Sequence, residues 1–166
     1  VSNGIYFQGV TFDGCIADNV VHGTEITLEI VNSHFFANRP SRDDLRTGII
    51  NLHNSSLIVK DNSTWEANIG NIPILIQAVE TRSCFLSFHN STVYGNRAAI
   101  SSTRCFVQIT SSVFKRNKIS QGSTIHIHTP RSISDSEKSV VQECEFYENE
   151  SAGAYGGTLY LEGDAT

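Results

Sequence analysis

The chain has 166 residues, a mass of 18.3 kDa and a formal net charge of -5, the size of one domain and too acidic for an electrostatically driven nucleic-acid binder. Charged residues make up only 17%, against roughly 25% in an average globular domain, and 20 Ser and 13 Asn supply the polarity instead. No apolar run approaches the roughly 18 residues that would cross a membrane, so insertion of this segment into a bilayer is not expected.

Along the chain one unit recurs: a bulky apolar residue followed three positions later by Asn. The copies are Ile16 to Asn19, Phe35 to Asn38, Trp65 to Asn68, Val93 to Asn96, Phe114 to Asn117 and Phe146 to Asn149. Their Asn residues are 19 to 32 positions apart, an uneven period that suits stacked coils with insertions in some turns. Alternating apolar residues precede the unit, as in Leu28-Glu29-Ile30, Leu86-Ser87-Phe88 and Val107-Gln108-Ile109, and period two means strand. Leu57 and Val59 stand one residue early relative to Trp65, and the first copy slips likewise, which reads as one-residue insertions in the turns.

After the Asn, small residues lead into a second apolar strand: Gly48-Ile49-Ile50, Ala98-Ala99-Ile100, Gly122-Ser123-Thr124-Ile125 and Gly156-Gly157-Thr158-Leu159. The polar runs Pro40 to Thr47 and Thr129 to Ser139 read as exposed loops. No stretch carries a helical period. A β-sandwich would not need the same Asn in every unit, and a leucine-rich repeat would follow its Asn with a helix-compatible segment. The expected fold is therefore all-β, a right-handed parallel β-helix (solenoid) of about six coils. Residues 1–166 read as a single segment of a longer chain.

In this fold the bulky residues fill the coil interior, and Asn19, Asn38, Asn68, Asn96, Asn117 and Asn149 form a ladder at a corner. A carboxamide both donates and accepts, so it can satisfy turn backbone that would otherwise be buried unpaired.

Phe146-Tyr147-Glu148-Asn149 followed by Gly156-Gly157-Thr158-Leu159 resembles the F-x-x-N and G-G-small-[I/L/V] repeats of chlamydial polymorphic outer membrane proteins and related surface proteins of the pectate-lyase-like β-helix class. Only this last copy holds both elements in full. The resemblance implies a parallel β-helix and an adhesive role for the segment.

Cys15, Cys84, Cys105 and Cys144 lack zinc-like spacing. The 21-residue shift that aligns Phe88 with Ile109 also carries Cys84 onto Cys105, placing the two within disulfide reach on neighbouring coils; Cys15 and Cys144 lie too far apart to pair. Of four Asn-x-Ser/Thr triplets, Asn54, Asn62 and Asn90 fall in outward turns and are expected glycan acceptors, whereas Asn149 belongs to the ladder. Both signals point to an extracellular or cell-surface protein.

The close acidic pairs Asp43-Asp44 and Asp135-Ser136-Glu137 sit in the polar loops as solvated charge, and no acidic cluster of the calcium-assisted lyase type is seen. No catalytic, metal or cofactor residues are expected. His126 and His128 alternate with Ile125 and Ile127, which puts both imidazoles on an outer face. Alignment with Leu159 stacks them on Tyr160 and Glu162, and alignment with Ile50 brings Asn51 and His53 into the same columns. His53, His126, His128, Tyr160 and Glu162 form the candidate recognition face. Outward aromatics look sparse otherwise, Tyr160 being the clearest.

The function expected is a non-catalytic structural or adhesive extracellular module whose partners are neighbouring coils or subunits. The alternative is a domain that binds or cleaves carbohydrate, with glycans as partners.

Overall fold

The computed structural model describes residues 3–41, 48–69, 72–77, 84–97, 100–119, 123–129, 138–152 and 157–163, and these contain strands and turns but no helix. Three six-stranded sheets dominate, and every pairing within them is parallel. The first sheet comprises Asn3–Gln8, Ile26–Val31, Ser56–Lys60, Cys84–His89, Cys105–Thr110 and Val140–Gln142. The second comprises Thr11–Asp13, His34–Phe36, Thr64–Glu66, Thr92–Tyr94, Val113–Lys115 and Glu145–Tyr147. The third comprises Asn19–Thr24, Gly48–His53, Ile72–Gln77, Ile100–Thr103, Ser123–Thr129 and Gly157–Gly163. The chain visits the three sheets in that order and then returns to the first, so each strand lies beside the equivalent strand of the pass before and the pass after. Pairs of two-residue strands, Ile16–Ala17 with Arg39–Pro40 and Lys118–Ile119 with Glu150–Ser151, bridge the second and third sheets.

Register turns the sequence repeat into columns. Phe12, Phe35, Trp65, Val93, Phe114 and Phe146 are successive partners in the second sheet. Within the column, Phe35 stacks on Phe12 at 4.8 Å and on Trp65 at 5.1 Å, and Phe114 on Phe146 at 5.1 Å. Where the column narrows to Val93, the first sheet supplies Phe88 in the same pass, and its ring reaches Trp65 at 5.4 Å. Large and small side chains thus exchange between facing sheets while the interior stays filled.

This register corrects the first copy of the repeat. The partner of Phe35 is Phe12, four residues before Ile16, and Ile16 lies 58% exposed on a short strand. With Phe12 as the anchor, Ile5 and Phe7 pair with Leu28 and Ile30, so the first copy has no slip. The inserted residue in the third copy is real: Leu57 and Val59 keep register with Leu86 and Phe88, and the turn after them holds two left-handed residues, Asp61 and Asn62, where the neighbouring turns hold Asn32 and Asn90 alone. Of the expected loops, Pro40 belongs to a short strand, Thr129 closes a third-sheet strand, and 42–47 and 130–137 lie outside the described residues.

Each corner after the second sheet turns through one left-handed residue: Gly14, Ala37, Ala67, Gly95, Arg116 or Glu148, with φ between 52° and 62°. A non-glycine residue there costs about 1 to 2 kcal/mol in backbone strain. A Cβ on Gly95 would meet nothing within 4 Å, so Gly95→Ala isolates this term. The expected result is a loss of about 1 kcal/mol in urea unfolding, and a stabilised variant would contradict the left-handed corner.

Cys84 and Cys105 are register partners, both buried, and form a disulfide with Cα atoms 4.7 Å apart. It closes a loop of 21 residues between neighbouring passes. The Cys84→Ala/Cys105→Ala double variant is expected to lose about 3 kcal/mol in an equilibrium melt. A midpoint equal to that of the oxidised protein would show that the crosslink contributes nothing. Cys15 and Cys144 are free and half-buried, in the first and last passes.

Candidate functional site

The corner beyond the second sheet carries a continuous side-chain ladder. The Asn68 Oδ1 accepts from both the backbone N–H and the Nδ2 of Asn38, at 3.1 and 3.0 Å. Asn96, Asn117 and Asn149 repeat that pattern on Asn68, Asn96 and Asn117. The remaining Nδ2 hydrogen of each goes to a main-chain oxygen of the preceding pass: Phe12 for Asn38, Phe35 for Asn68, Trp65 for Asn96, Val93 for Asn117 and Phe114 for Asn149. Asn38, Asn68, Asn96 and Asn117 are 0% exposed, so these bonds are made without competition from water.

Asn19 is not part of this ladder. It opens a third-sheet strand, and its Oδ1 accepts from the Gly48 N–H. Its expected place is taken by Cys15, whose backbone N–H donates to the Asn38 Oδ1. With Cys in place of Asn, the first unit has no F-x-x-N to read, which is why Ile16-to-Asn19 stands out in its stead.

A second ladder escaped the sequence reading. Ser33, Ser63, Ser91 and Ser112 are buried at the corner between the first and second sheets. The hydroxyls of Ser33 and Ser63 accept from the backbone N–H of Val10 and Ser33, and that of Ser112 from Ser91. Each donates back to a main-chain oxygen of the preceding strand. The full unit is therefore Ser-x-bulky-x-x-Asn, as in Ser112-Val113-Phe114-Lys115-Arg116-Asn117. The signal was present but diluted by the many other serines.

On the outer face of the third sheet, His126 pairs with Tyr160 and His128 with Glu162, and Asn51 and His53 share the columns of His126 and His128. The His126 and Tyr160 rings lie 5.0 Å apart, and the His126 Nε2 is 3.6 Å from the Glu162 carboxylate. His53 contacts His22 at 5.8 Å between ring centroids. The three histidines are half-buried and Asn51 is only 5% exposed, so this face offers less open surface than its composition suggests.

The more open face lies on the second sheet. Its outward residues one position after the inward column are Asp13, Phe36, Glu66, Tyr94, Lys115 and Tyr147, all register partners. Aromatic and charged residues alternate pass by pass. Phe36 is 37% exposed and Tyr147 38%, and the Lys115 ammonium lies 4.6 Å from the Tyr147 ring centre. The His34 ring stands 5.8 Å from that of Phe36, with its Nε2 3.8 Å from the Glu66 carboxylate. Arg116, hydrogen-bonded to Glu148 and then to Tyr94, is held above its usual pKa, and Glu148 below its own. The expectation of sparse outward aromatics is thus corrected: with Tyr6 and Phe85 on the first sheet, at least five are outward in addition to Tyr160. The spacing to Asn38 marks Phe35 as inward, but nothing in three-residue strands shows that the residues after each inward ring line up as one aromatic and charged column.

The turn residues Asn62 and Asn90 are exposed, and the Asn90 Nδ2 donates to the Asn62 Oδ1 at 3.3 Å. Asn54 is half-buried in its turn. Among the described residues no three His, Cys, Asp or Glu side chains converge in a way that could hold a metal ion, and no helix is long and apolar enough to cross a membrane. Asp43, Asp44, Asp135 and Glu137 lie outside the described residues. No protein-family model, curated protein or solved structure matches the chain.

Proposed function

We propose that the chain is a right-handed parallel β-helix segment of the polymorphic-outer-membrane-protein type, acting outside the cell as a non-catalytic structural and adhesive module. The observation that carries the reading is the five-residue carboxamide ladder running in register through parallel sheets, a device that favours a straight, stiff stack with periodic outer faces. The Cys84–Cys105 disulfide supports an oxidising compartment. Neighbouring coils or subunits are the partners proposed for the module.

The test is to coat beads with the chain and measure their retention on cell surfaces and extracellular matrix, alongside an assay for reducing or unsaturated ends released from polysaccharides. Retention without release is the expected outcome; release of new ends would overturn the reading.

A secreted protein of this sequence is also expected to carry N-glycans at Asn62 and Asn90 in preference to Asn149, because both amide atoms of Asn149 are engaged in the ladder. Glycopeptide mapping after expression in a secretory eukaryotic host reads this directly, and full occupancy at Asn149 with Asn90 bare would reverse it.

A further inference from the structure

We propose that the outer face of the second sheet is a binding platform for a linear, uncharged, ribbon-like glycan built from equatorially linked hexopyranoses and lying across the strands, along the stacking direction. The inference rests on the adhesive reading and names the ligand class of that adhesion.

Three features of the face point to this ligand. The first is spacing: Phe36, Tyr94 and Tyr147 occupy every second strand of one column. At about 4.8 Å between strands, the rings recur roughly every 10 Å, close to the length of a disaccharide unit in an extended glycan. A straight polymer whose sugars present their C–H faces at that interval reaches Phe36 and Tyr94 without bending, while the Tyr147 ring at the end of the row is already covered by the Lys115 ammonium.

The second is the chemistry between the rings. Asp13 and Glu66 offer carboxylate acceptors to sugar hydroxyls, Lys115 a donor, and Thr11, Thr64 and Thr92 stand in the neighbouring outward column. The face carries three carboxylates, Asp13, Glu66 and Glu145, against the ammonium of Lys115, so a polyanion gains no net attraction. Nucleic acid and uronic-acid polymers are thereby disfavoured.

The third is the state of the backbone. An extended peptide binds a sheet by adding to an open edge, whereas the strands beneath this face are already paired on both sides through the middle of the sheet. Only side chains are on offer here, which suits a ligand recognised by ring stacking and hydroxyl bonds.

The experiment is titration calorimetry of the intact chain with cello- and manno-hexasaccharides, with a hexagalacturonate as the charged control. The expected result is submillimolar binding of at least one neutral hexasaccharide and none of the hexagalacturonate. Phe36→Ala and Tyr94→Ala should each weaken binding about tenfold, while Tyr94→Phe retains it and Gln108→Ala, on the first sheet, leaves it unchanged. Melting curves of the same variants separate loss of a contact from loss of the fold. Absence of binding to every neutral hexasaccharide, preference for the charged one, or wild-type affinity in both alanine variants would overturn the platform. If beads coated with the chain still adhere to cells in that case, the adhesive reading stands without it. Shortening of any hexasaccharide would overturn the non-catalytic reading itself.

Discussion

Asn96→Ala is expected to destabilise the protein by about 3 to 5 kcal/mol, because truncation strands three buried groups at once and each costs about 1 to 3 kcal/mol. The Asn96 Oδ1 accepts from the backbone N–H and the Nδ2 of Asn68, and its own Nδ2 donates to the Trp65 carbonyl. None of these groups can turn to water, since Asn68 and Asn96 are both 0% exposed. The Asn117 Oδ1 keeps its bond from the backbone N–H of residue 96, so the ladder is interrupted at one rung rather than dissolved. Asn149→Ala, at a half-buried rung, should cost about 1 kcal/mol. Urea unfolding of the two variants checks the gradient. Equal, small losses would show that the carboxamides do not stabilise the corner.

The other large effect is expected at Trp65, the biggest wholly buried side chain. Trp65→Ala should cost about 4 kcal/mol, because the cavity would open between Phe35 and Phe88, both themselves fully buried and unable to collapse far. Trp65→Phe is the informative companion. The same column already holds Phe12, Phe35, Phe114 and Phe146, and the indole Nε1 is buried without a hydrogen-bond partner. Losing an unpaired N–H offsets part of the lost volume, so the change should stay within about 1 kcal/mol. A Phe variant as unstable as the Ala variant would show that the indole's polar atom is satisfied after all.

The strongest sequence signals were those that repeat in both chemistry and phase. Phe114 and Asn117, or Leu86 and Phe88, declare an inward face because the same residue types return at the same offset. The 21-residue shift that aligned Phe88 with Ile109 also brought the two cysteines together. In the third copy, the displacement of Leu57 and Val59 relative to Trp65 was legible as an extra turn residue, since strand register tolerates an insertion only at a corner.

The signal failed where a column changes its residue type. At the first corner Cys15 replaces Asn, and the motif then locks onto Ile16 and Asn19, one an exposed residue and the other bonded elsewhere. A corner set by left-handed backbone accepts residues as different as Gly14, Ala37 and Arg116, so the conformation leaves no consistent letter in the sequence. The outer columns are harder still: nothing in the interior constrains the residue after each inward ring, and its neighbours lie 21 to 32 positions away along the chain in most passes.

The sequence by itself therefore determined the strand content, the inward aromatic column, the Asn rungs from Asn38 to Asn149 and the Cys84–Cys105 alignment, because burial and hydrogen-bond satisfaction restrict each to few residue types. Only the tertiary structure decided that Phe12 starts the column, that serines form a second ladder, and that Phe36, Tyr94 and Tyr147 share an open face with Asp13, Glu66 and Lys115. Those features depend on register between distant passes, and register is fixed by the summed pairing of whole strands rather than by any residue that displays it.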